Sequence, residues 1–396
     1  MPRVHPVAKR RPRLVSIMGG RHGRHEEDRP VLVHVVAGRP DAVKLAPVHA
    51  AVAQRGVFRQ VVAQTGQHTD PPLSSDFLRD VGLPAPDHLL RAGHGSAATQ
   101  TACALAEGEA LLAELQPAAL VVAGAANSTL GVVLAASKLG VPVARLEAGL
   151  RTRDRAAGEE LNRTLLDTMG DVLFASSARA IENLLAEGVP AERVRHVGST
   201  AVDGVRRARP RAAARAMWAR FGVERHRYVL VTLDRPENVD DDERLARIVE
   251  ALAELASRVP VIFPQHPRTR ARLIPMGDAH RLTGAGVLFT PPLGYLDFLS
   301  LQTGAGVVVT DSGTVQEETS VLGVPCYTLG DTTERTITLT HGTNTLLKDD
   351  PRDLADLPLA MRPPTPSVIS LWDGRAGDRI ADALVAGYAR ARAVGA

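Results

Sequence analysis

The chain has 396 residues, 44% of them hydrophobic and 23% charged, which is too long for a single core and too apolar for a disordered chain. Aromatics are only 3%, which argues against base-stacking surfaces for single strands, and the two cysteines, Cys103 and Cys326, build neither a disulfide framework nor a zinc motif. The net charge of +3 is concentrated in residues 1–29, where eight Lys or Arg meet three acids, so the remainder is close to neutral and no nucleic-acid partner is expected.

That basic stretch reads as a solvated, disordered extension, with a polyanion-binding arm as the alternative. From Val31 onward, β-branched runs alternate with Ala- and Leu-rich amphipathic segments. The pattern predicts strands at 31–37, 60–64, 119–123, 141–146, 172–175 and 195–197. Helices are predicted between them at 42–54, 97–115, 128–139, 159–169 and 178–187. An Arg- and Ala-rich stretch near 205–215 separates this half from a second alternation. There the strands are 228–233, 259–263, 287–289 and 307–310, with helices at 241–257, 297–301 and 315–322. Pro363, Pro364 and Pro366 precede a last helix near 377–393. Apolar strands joined by helical crossovers imply parallel sheets covered on both faces. The expected fold class is therefore α/β, two doubly wound Rossmann-like domains in series, with boundaries at 30–204 and 205–370. No apolar run approaches the ~18–20 residues of a membrane helix, no secretory leader is recognisable, and the cysteine usage reads as reducing cytoplasm.

Doubly wound sheets bind ligands at the carboxyl ends of their strands. Neither G-x-G-x-x-G nor the P-loop pattern occurs, which disfavours dinucleotide enzymes and ATPases. Gly38-Arg39-Pro40-Asp41 follows the first strand, with Lys44 one helical turn on. Both cations suit an anion over a helix N-terminus, although the same residues also read as a proline-capped helix start. Asp311-Ser312-Gly313-Thr314 is a second such junction, leading into Gln316, Glu317 and Glu318. Its amides and hydroxyl suit a phosphate and a carboxylate farther on suits ribose hydroxyls, or it is a simple cap. Glu147 stands at a strand tip, Glu159 and Glu160 open a helix, and Gln265-His266-Pro267-Arg268 ends another strand. His266 reads equally as a structural histidine.

Taken in order, these segments resemble the non-hydrolysing UDP-N-acetylglucosamine 2-epimerase family. The matching pieces include GRPDAVKLAPV (38–48), TGQH (65–68), NSTLGVVLAASKLGVPVARLEAGLRT (127–152), EELNRTLLD (159–167) and VGSTAVDGV (197–205). They continue with RPENVDDDERL (235–245), HPRTR (266–270), PLGYLDFLSL (292–301), TDSGTVQEETSVLGVPC (310–326), DTTER (331–335), HGTN (341–344) and LWDGRAGDRI (371–380). The resemblance implies a glycosyltransferase-B-like fold with the sugar nucleotide in the cleft between two domains. It also implies a homodimer, no cofactor, no metal, and a last helix, about 371–396, that packs back on the first domain. By position, Glu147, Glu159, Lys44 and Asp234 fall at catalytic places. Arg39, Gln67, His68, Arg151, Arg235, His266, Arg268, Ser312, Gly313, Thr314, Glu318 and Arg335 fall at substrate-binding places. The implied reaction loses UDP from carbon 1 of the sugar with the carbon 2 proton, then re-adds UDP with inversion at carbon 2.

The sequence also departs from that pattern. Ala125 stands where the family has an aspartate, Asp234 where it has a histidine beside the phosphates, Arg145 for another histidine and Thr336 for a proline. Losing one general acid or base costs a factor of about 10² to 10⁴. The expectation is therefore a divergent member with impaired epimerisation, suited to a specialised amino-sugar or antibiotic pathway. A UDP-sugar hydrolase, a non-catalytic UDP-sugar binder and a glycosyltransferase remain as alternatives.

Overall fold

The computed structural model describes residues 29–66, 74–93, 95–154, 158–347, 350–359, 365 and 367–389. Nearly all of the predicted basic extension, together with Gln67 and His68, lies outside the described residues.

Valine-rich runs form the strands because β-branched side chains fit a pleated surface covered on both faces. In the first half these are β1 (Val31–Val36), β2 (Arg59–Gln64), β3 (His88–Leu89), β4 (Ala119–Val122), β5 (Val143–Leu146), β6 (Val172–Ala175) and β7 (Val194–His196). They pair in parallel in the order β3-β2-β1-β4-β5-β6-β7. The second half holds β8 (Val229–Thr232), β9 (Val261–Pro264), β10 (Val287–Thr290), β11 (Val307–Thr310), β12 (Cys326–Leu329) and β13 (Asn344–Leu347). These are also parallel, in the order β10-β9-β8-β11-β12-β13. Two doubly wound α/β sheets are thus present, as the alternation of the sequence predicts.

Strand order reverses between β1 and β4 in one sheet and between β8 and β11 in the other. Loops leaving the carboxyl ends of neighbouring strands diverge there and leave a crevice. The four loops at these points contain Gly38-Arg39, Gly124-Ala125, Asp234-Arg235 and Asp311-Ser312, so topology selects three junctions that carry charge and one that does not.

Three strands escape the sequence pattern. β3 has two residues, and β12 and β13 mix Thr and Asn with Leu, so their apolar runs are short. The Arg- and Ala-rich stretch read as a boundary is the second half of a continuous helix, Thr200–Arg215, capped by Ser199. Ala and Arg are strong helix formers, and the helix lies between the two halves. Its Gly204 packs on Val43, while Arg215 reaches Asp80 and Asp297 at 3.3 and 2.7 Å. One buried apolar cluster accordingly contains Val43, Val205 and Leu299 from both halves. The last helix, Ala376–Tyr388, lies on the helix Arg39–Arg55 of the first half, where Arg55 pairs with Asp378 and Asp382, each at 2.8 Å. No helix among the described residues is long and apolar enough to cross a membrane.

Candidate active site between the two sheets

β5 ends at Leu146 and the chain turns at once. Glu147 has φ 55°, in the left-handed region that residues with a side chain rarely adopt. The turn is held by Ala148 N donating to Phe174 O at 3.1 Å, Gly149 N to Asp167 Oδ2 at 2.9 Å and Asn183 Nδ2 to Gly149 O at 2.9 Å. Gly149 is required, because φ is 83° and a Cβ would strike the Ala180 carbonyl. Backbone strain of this kind persists where the surroundings over-determine it, and it collects at functional sites.

The turn carries the Glu147 carboxylate, 8% exposed, to two cations. Oε2 lies 2.6 Å from Lys44 Nζ of the helix Arg39–Arg55, and Oε1 lies 3.1 Å from Arg335 Nη2 of the loop after β12. The second pair joins the two halves of the molecule. Arg335 Nε in turn lies 3.1 Å from Glu317 Oε2 on the helix Gly313–Leu322. Burial pushes the Glu147 carboxyl up, but Arg335 and then Lys44 outweigh it and hold it at about 2. For Glu317 burial prevails over Arg335, and Glu147 adds repulsion, so that carboxyl rises to about 7.

Across the crevice, the helix Gly313–Leu322 presents its N-terminus. Glu334 Oε1 occupies the space a Cβ on Gly313 would need. Its carboxylate faces Arg235 Nη2 at 3.4 Å and Arg163 Nη2 at 4.0 Å. Despite burial, Arg163, Arg235 and Arg335 hold Glu334 well below the usual carboxylate range. Beneath lies Asp311, 1% exposed, which accepts from the amides of Asp234 and Arg235, both at 3.1 Å, and from Asn238 Nδ2 at 3.0 Å. Burial and then Asp234 push Asp311 up to about 7. Two ionised carboxylates thus stand among four cations beside a helix N-terminus suited to an anion: Glu147 between Lys44 and Arg335, and Glu334 facing Arg235 and Arg163.

The structure brings together Lys44, Glu147, Gly313, Arg235 and Arg335, with Ser312 and Thr314 half-buried at the start of the same helix. Other predicted residues stand elsewhere. Arg39 Nη1 donates to Leu293 O at 3.3 Å, and its guanidinium lies 5.0 Å from the Phe77 ring, beside a cavity of about 470 Å³. Arg151 is bound by Asp167 and Glu187, both at 2.7 Å, and so braces the Glu147 turn. Glu159 is 67% exposed and pairs with Arg163, whereas its neighbour Glu160 is buried and accepts from the Thr152 and Arg153 amides at 3.0 and 2.9 Å. Glu318 accepts from Tyr295 OH at 3.2 Å and Gln302 Nε2 at 2.6 Å. His266 caps its helix by accepting from Arg268 N at 3.3 Å, and Arg268 pairs with Asp240 at 2.7 Å. Ala125 is 8% exposed, its carbonyl accepting from Asn162 Nδ2 at 2.9 Å, and Arg145 lies 3.5 Å from Asp167 Oδ1. Among the described residues no cluster of three or more His, Cys, Asp or Glu could hold a metal ion.

Sequence reasoning missed Glu317 and Glu334 as members of the site. Adjacent residues on a helix project about 100° apart, so only one of Glu317 and Glu318 can face Arg335, and spacing does not say which. Glu334 was legible only as part of a polar loop.

Comparison with known proteins agrees with this geometry. A family model described as UDP-N-acetylglucosamine 2-epimerase matches residues 50–385. The chain is 37% identical over 327 residues to the UDP-N-acetylglucosamine 2-epimerase of Methanocaldococcus jannaschii, covering 81% of this chain and 89% of the relative. It is also 37% identical over 319 residues to the UDP-2,3-diacetamido-2,3-dideoxy-D-glucuronate 2-epimerase of Pseudomonas aeruginosa, covering 80% and 88%. The crystal structure of the Methanocaldococcus jannaschii enzyme in complex with UDP-GlcNAc and UDP superposes with a TM-score of 0.81 at 34% identity, over 90% of this chain and 99% of that one. A match along most of the chain and a shared fold lead to one assignment: the chain belongs to the UDP-N-acetylglucosamine 2-epimerase family.

Proposed function

We propose that the protein acts on a UDP-hexosamine, eliminating UDP across carbons 1 and 2 and re-adding it with inversion at carbon 2. The observation that carries this reading is the Glu147 carboxylate, ionised and fixed between Lys44 and Arg335 where the two sheets meet. In the first step the carbon 2 proton passes to a carboxylate, carbons 1 and 2 become doubly bonded, and the carbon 1–oxygen pair leaves with the UDP β-phosphate. Lys44, Arg235, Arg335 and the amides at Gly313 stabilise the charge that develops there. In the second step UDP returns to carbon 1 and the proton is delivered to the other face of carbon 2. Glu147 is the carboxylate assigned to proton transfer.

The partner acid is the weak point. Ala125 offers no carboxylate, and Asp234 places a negative charge among the cations. We therefore read the protein as a family member with slow or redirected turnover, acting at a cleft between domains 30–204 and 205–370.

Proton NMR of the protein with UDP-N-acetylglucosamine in deuterated water tests this directly. Deuterium at carbon 2 with accumulation of the manno epimer is the expected result. Release of UDP with glycal, and no manno nucleotide, would mean arrest after the elimination step, and release of UDP with free hexosamine would reassign the chemistry to hydrolysis. Broadened nucleotide signals without turnover would leave a binding protein.

A further inference from the structure

Beneath the cleft the charges are balanced within the protein itself. Lys44 and Arg335 face Glu147 and Glu317, and the four side chains are 5%, 5%, 6% and 1% exposed. A diphosphate drawn to Lys44 and Arg335 adds about two negative charges to this neutral set. In a region of low dielectric the excess has to be compensated nearby, because water does not screen it.

Of the two carboxylates, Glu317 is the less firmly held. Glu147 contacts two cations, whereas among the described residues Glu317 has an ion pair only with Arg335. The groups facing it come from four other elements. They are Arg335 from the loop after β12, Glu147 from the turn after β5, Lys44 from the helix Arg39–Arg55, and the Ser199 hydroxyl from the start of the helix Thr200–Arg215. Glu318, next along its own helix, is buried as well and repels it, but bonds to Tyr295 and Gln302. Glu317 sits in the second turn of a helix whose neighbouring residues, Gln316 and Glu318, are 1% and 2% exposed. With its own side chain 1% exposed, it has little water to stabilise its charge. A buried carboxylate that shares its cation with a ligand takes up a proton.

Building on the function proposed above, we infer that Glu317 binds a proton from solvent when the diphosphate of a nucleotide sugar engages Lys44 and Arg335. Balance requires nothing else: one proton is added to a Glu317 oxygen, and no bond of the ligand changes. Binding and protonation are then linked, each favouring the other by the same factor. Because burial already places Glu317 near neutrality, at about 7, the linkage is visible under ordinary conditions. Below that pH the site is already protonated and affinity is flat. Above it, Kd rises up to tenfold per pH unit. Glu317 is thus a positioning residue that sets the charge Arg335 presents to the ligand.

The test is calorimetric titration of the full chain with UDP-N-acetylglucosamine at about pH 7.5, in buffers of low and high ionisation enthalpy. This ligand is a diphosphate diester, so it carries no phosphate proton that titrates near neutrality. The expected result is a buffer-dependent enthalpy equivalent to roughly half to one proton taken up, absent in Glu317→Gln. Equal enthalpies in both buffers, or the same uptake in Glu317→Gln, would overturn the inference while leaving nucleotide-sugar binding intact. No binding at all would instead overturn the proposed function. Should Glu317→Gln fail to fold, Kd measured from about pH 6 to 9 decides: a flat wild-type profile, or a rise lost in Asp311→Asn or Glu318→Gln, refutes the linkage, and a rise beginning near pH 7 that survives in both variants supports it.

Discussion

The turn after β5 and the start of the helix Gly313–Leu322 present carboxylates to one another with nearly equal burial, yet their acidities diverge. Glu147 is held at about 2, whereas Glu317, Glu318 and Asp311 are all pushed to about 7. Burial raises every one of them. The difference lies in the partners. Glu147 touches two cations, Glu317 shares one, and Glu318 and Asp311 receive only neutral donors, from Tyr295 and Gln302 or from Asn238 and backbone amides. Hydrogen bonds from neutral groups lower a buried carboxyl, but here they do not cancel the loss of water. The first half of the molecule therefore supplies a carboxylate that rests ionised at neutral pH, and the second half supplies carboxyls that can hold protons there.

Breaking the first side of this contrast has the largest expected effect. Glu147→Gln removes the ionised group while keeping its shape, and turnover of UDP-N-acetylglucosamine should fall by a factor of about 10² to 10⁴. UDP release and carbon 2 exchange report it. A loss smaller than about tenfold would mean that the proton is moved by another group. Next in size is the cation that distinguishes the two sides. Arg335→Leu leaves Glu147 with Lys44 alone and Glu317 with no ion pair. Removing one member of a buried ion pair costs about 3 to 5 kcal/mol. Urea unfolding should show that loss, and adding Glu317→Gln to Arg335→Leu should return part of it.

Most of the frame for this contrast is legible in the sequence, because hydrophobic periodicity decides where long parallel strands and their crossovers lie. The valine runs of β1, β4, β8 and β11 place four junctions, three of them charged, at the two switch points without further information. The polar strands β12 and β13 are not legible, since their burial comes from the sheet they join and not from their own composition. The site divides in the same way. Lys44 and Glu147 stand out as charges close to strand ends, and Arg335 through the resemblance of DTTER to the family motif. That Glu317 faces Arg335 while Glu318 turns to Tyr295 depends on helix rotation, and that Glu334 covers Gly313 depends on the path of a loop. Arg151 shows what motif position leaves unsaid. It belongs to a matching motif, but its partners Asp167 and Glu187 lie 16 and 36 residues away, and they make it a brace for the turn.

The second side of the contrast is sharpened by pH. Glu318 is fully buried and its folded pKa is raised, so between the unfolded value near 4.5 and about 7 the folded state binds more protons than the unfolded state. Stability must then fall as pH rises through that window, by on the order of 2 to 3 kcal/mol for one such group. Glu147 contributes with the opposite sign and elsewhere: its stabilisation is complete above about 4.5 and fades as pH falls toward 2. Urea midpoints of wild type and Glu318→Gln, compared from about pH 5 to 8, separate the two. The variant should lose part of the decline. Parallel curves would show that Glu318 is ionised throughout.

The smallest expected effect concerns the residue by which the second half departs from its family. Asp234 adds a negative charge beside Asp311, which is one reason Asp311 is pushed up, and it stands near cations that the proposed reaction needs. With an effective dielectric constant of about 20, removing one charge several ångströms from a diphosphate is worth on the order of 1 to 2 kcal/mol. Asp234→His should therefore tighten binding of UDP-N-acetylglucosamine about tenfold and lower the acidity difference between Asp311 and Glu147. Tighter binding with unchanged turnover would locate the deficit at Ala125, where no carboxylate stands. A parallel gain in turnover would show that repulsion of the leaving diphosphate limits the wild-type protein. Unchanged affinity would mean that Asp234 is screened from the nucleotide by Arg235 and Arg268, and that the exchange of histidine for aspartate is electrostatically silent.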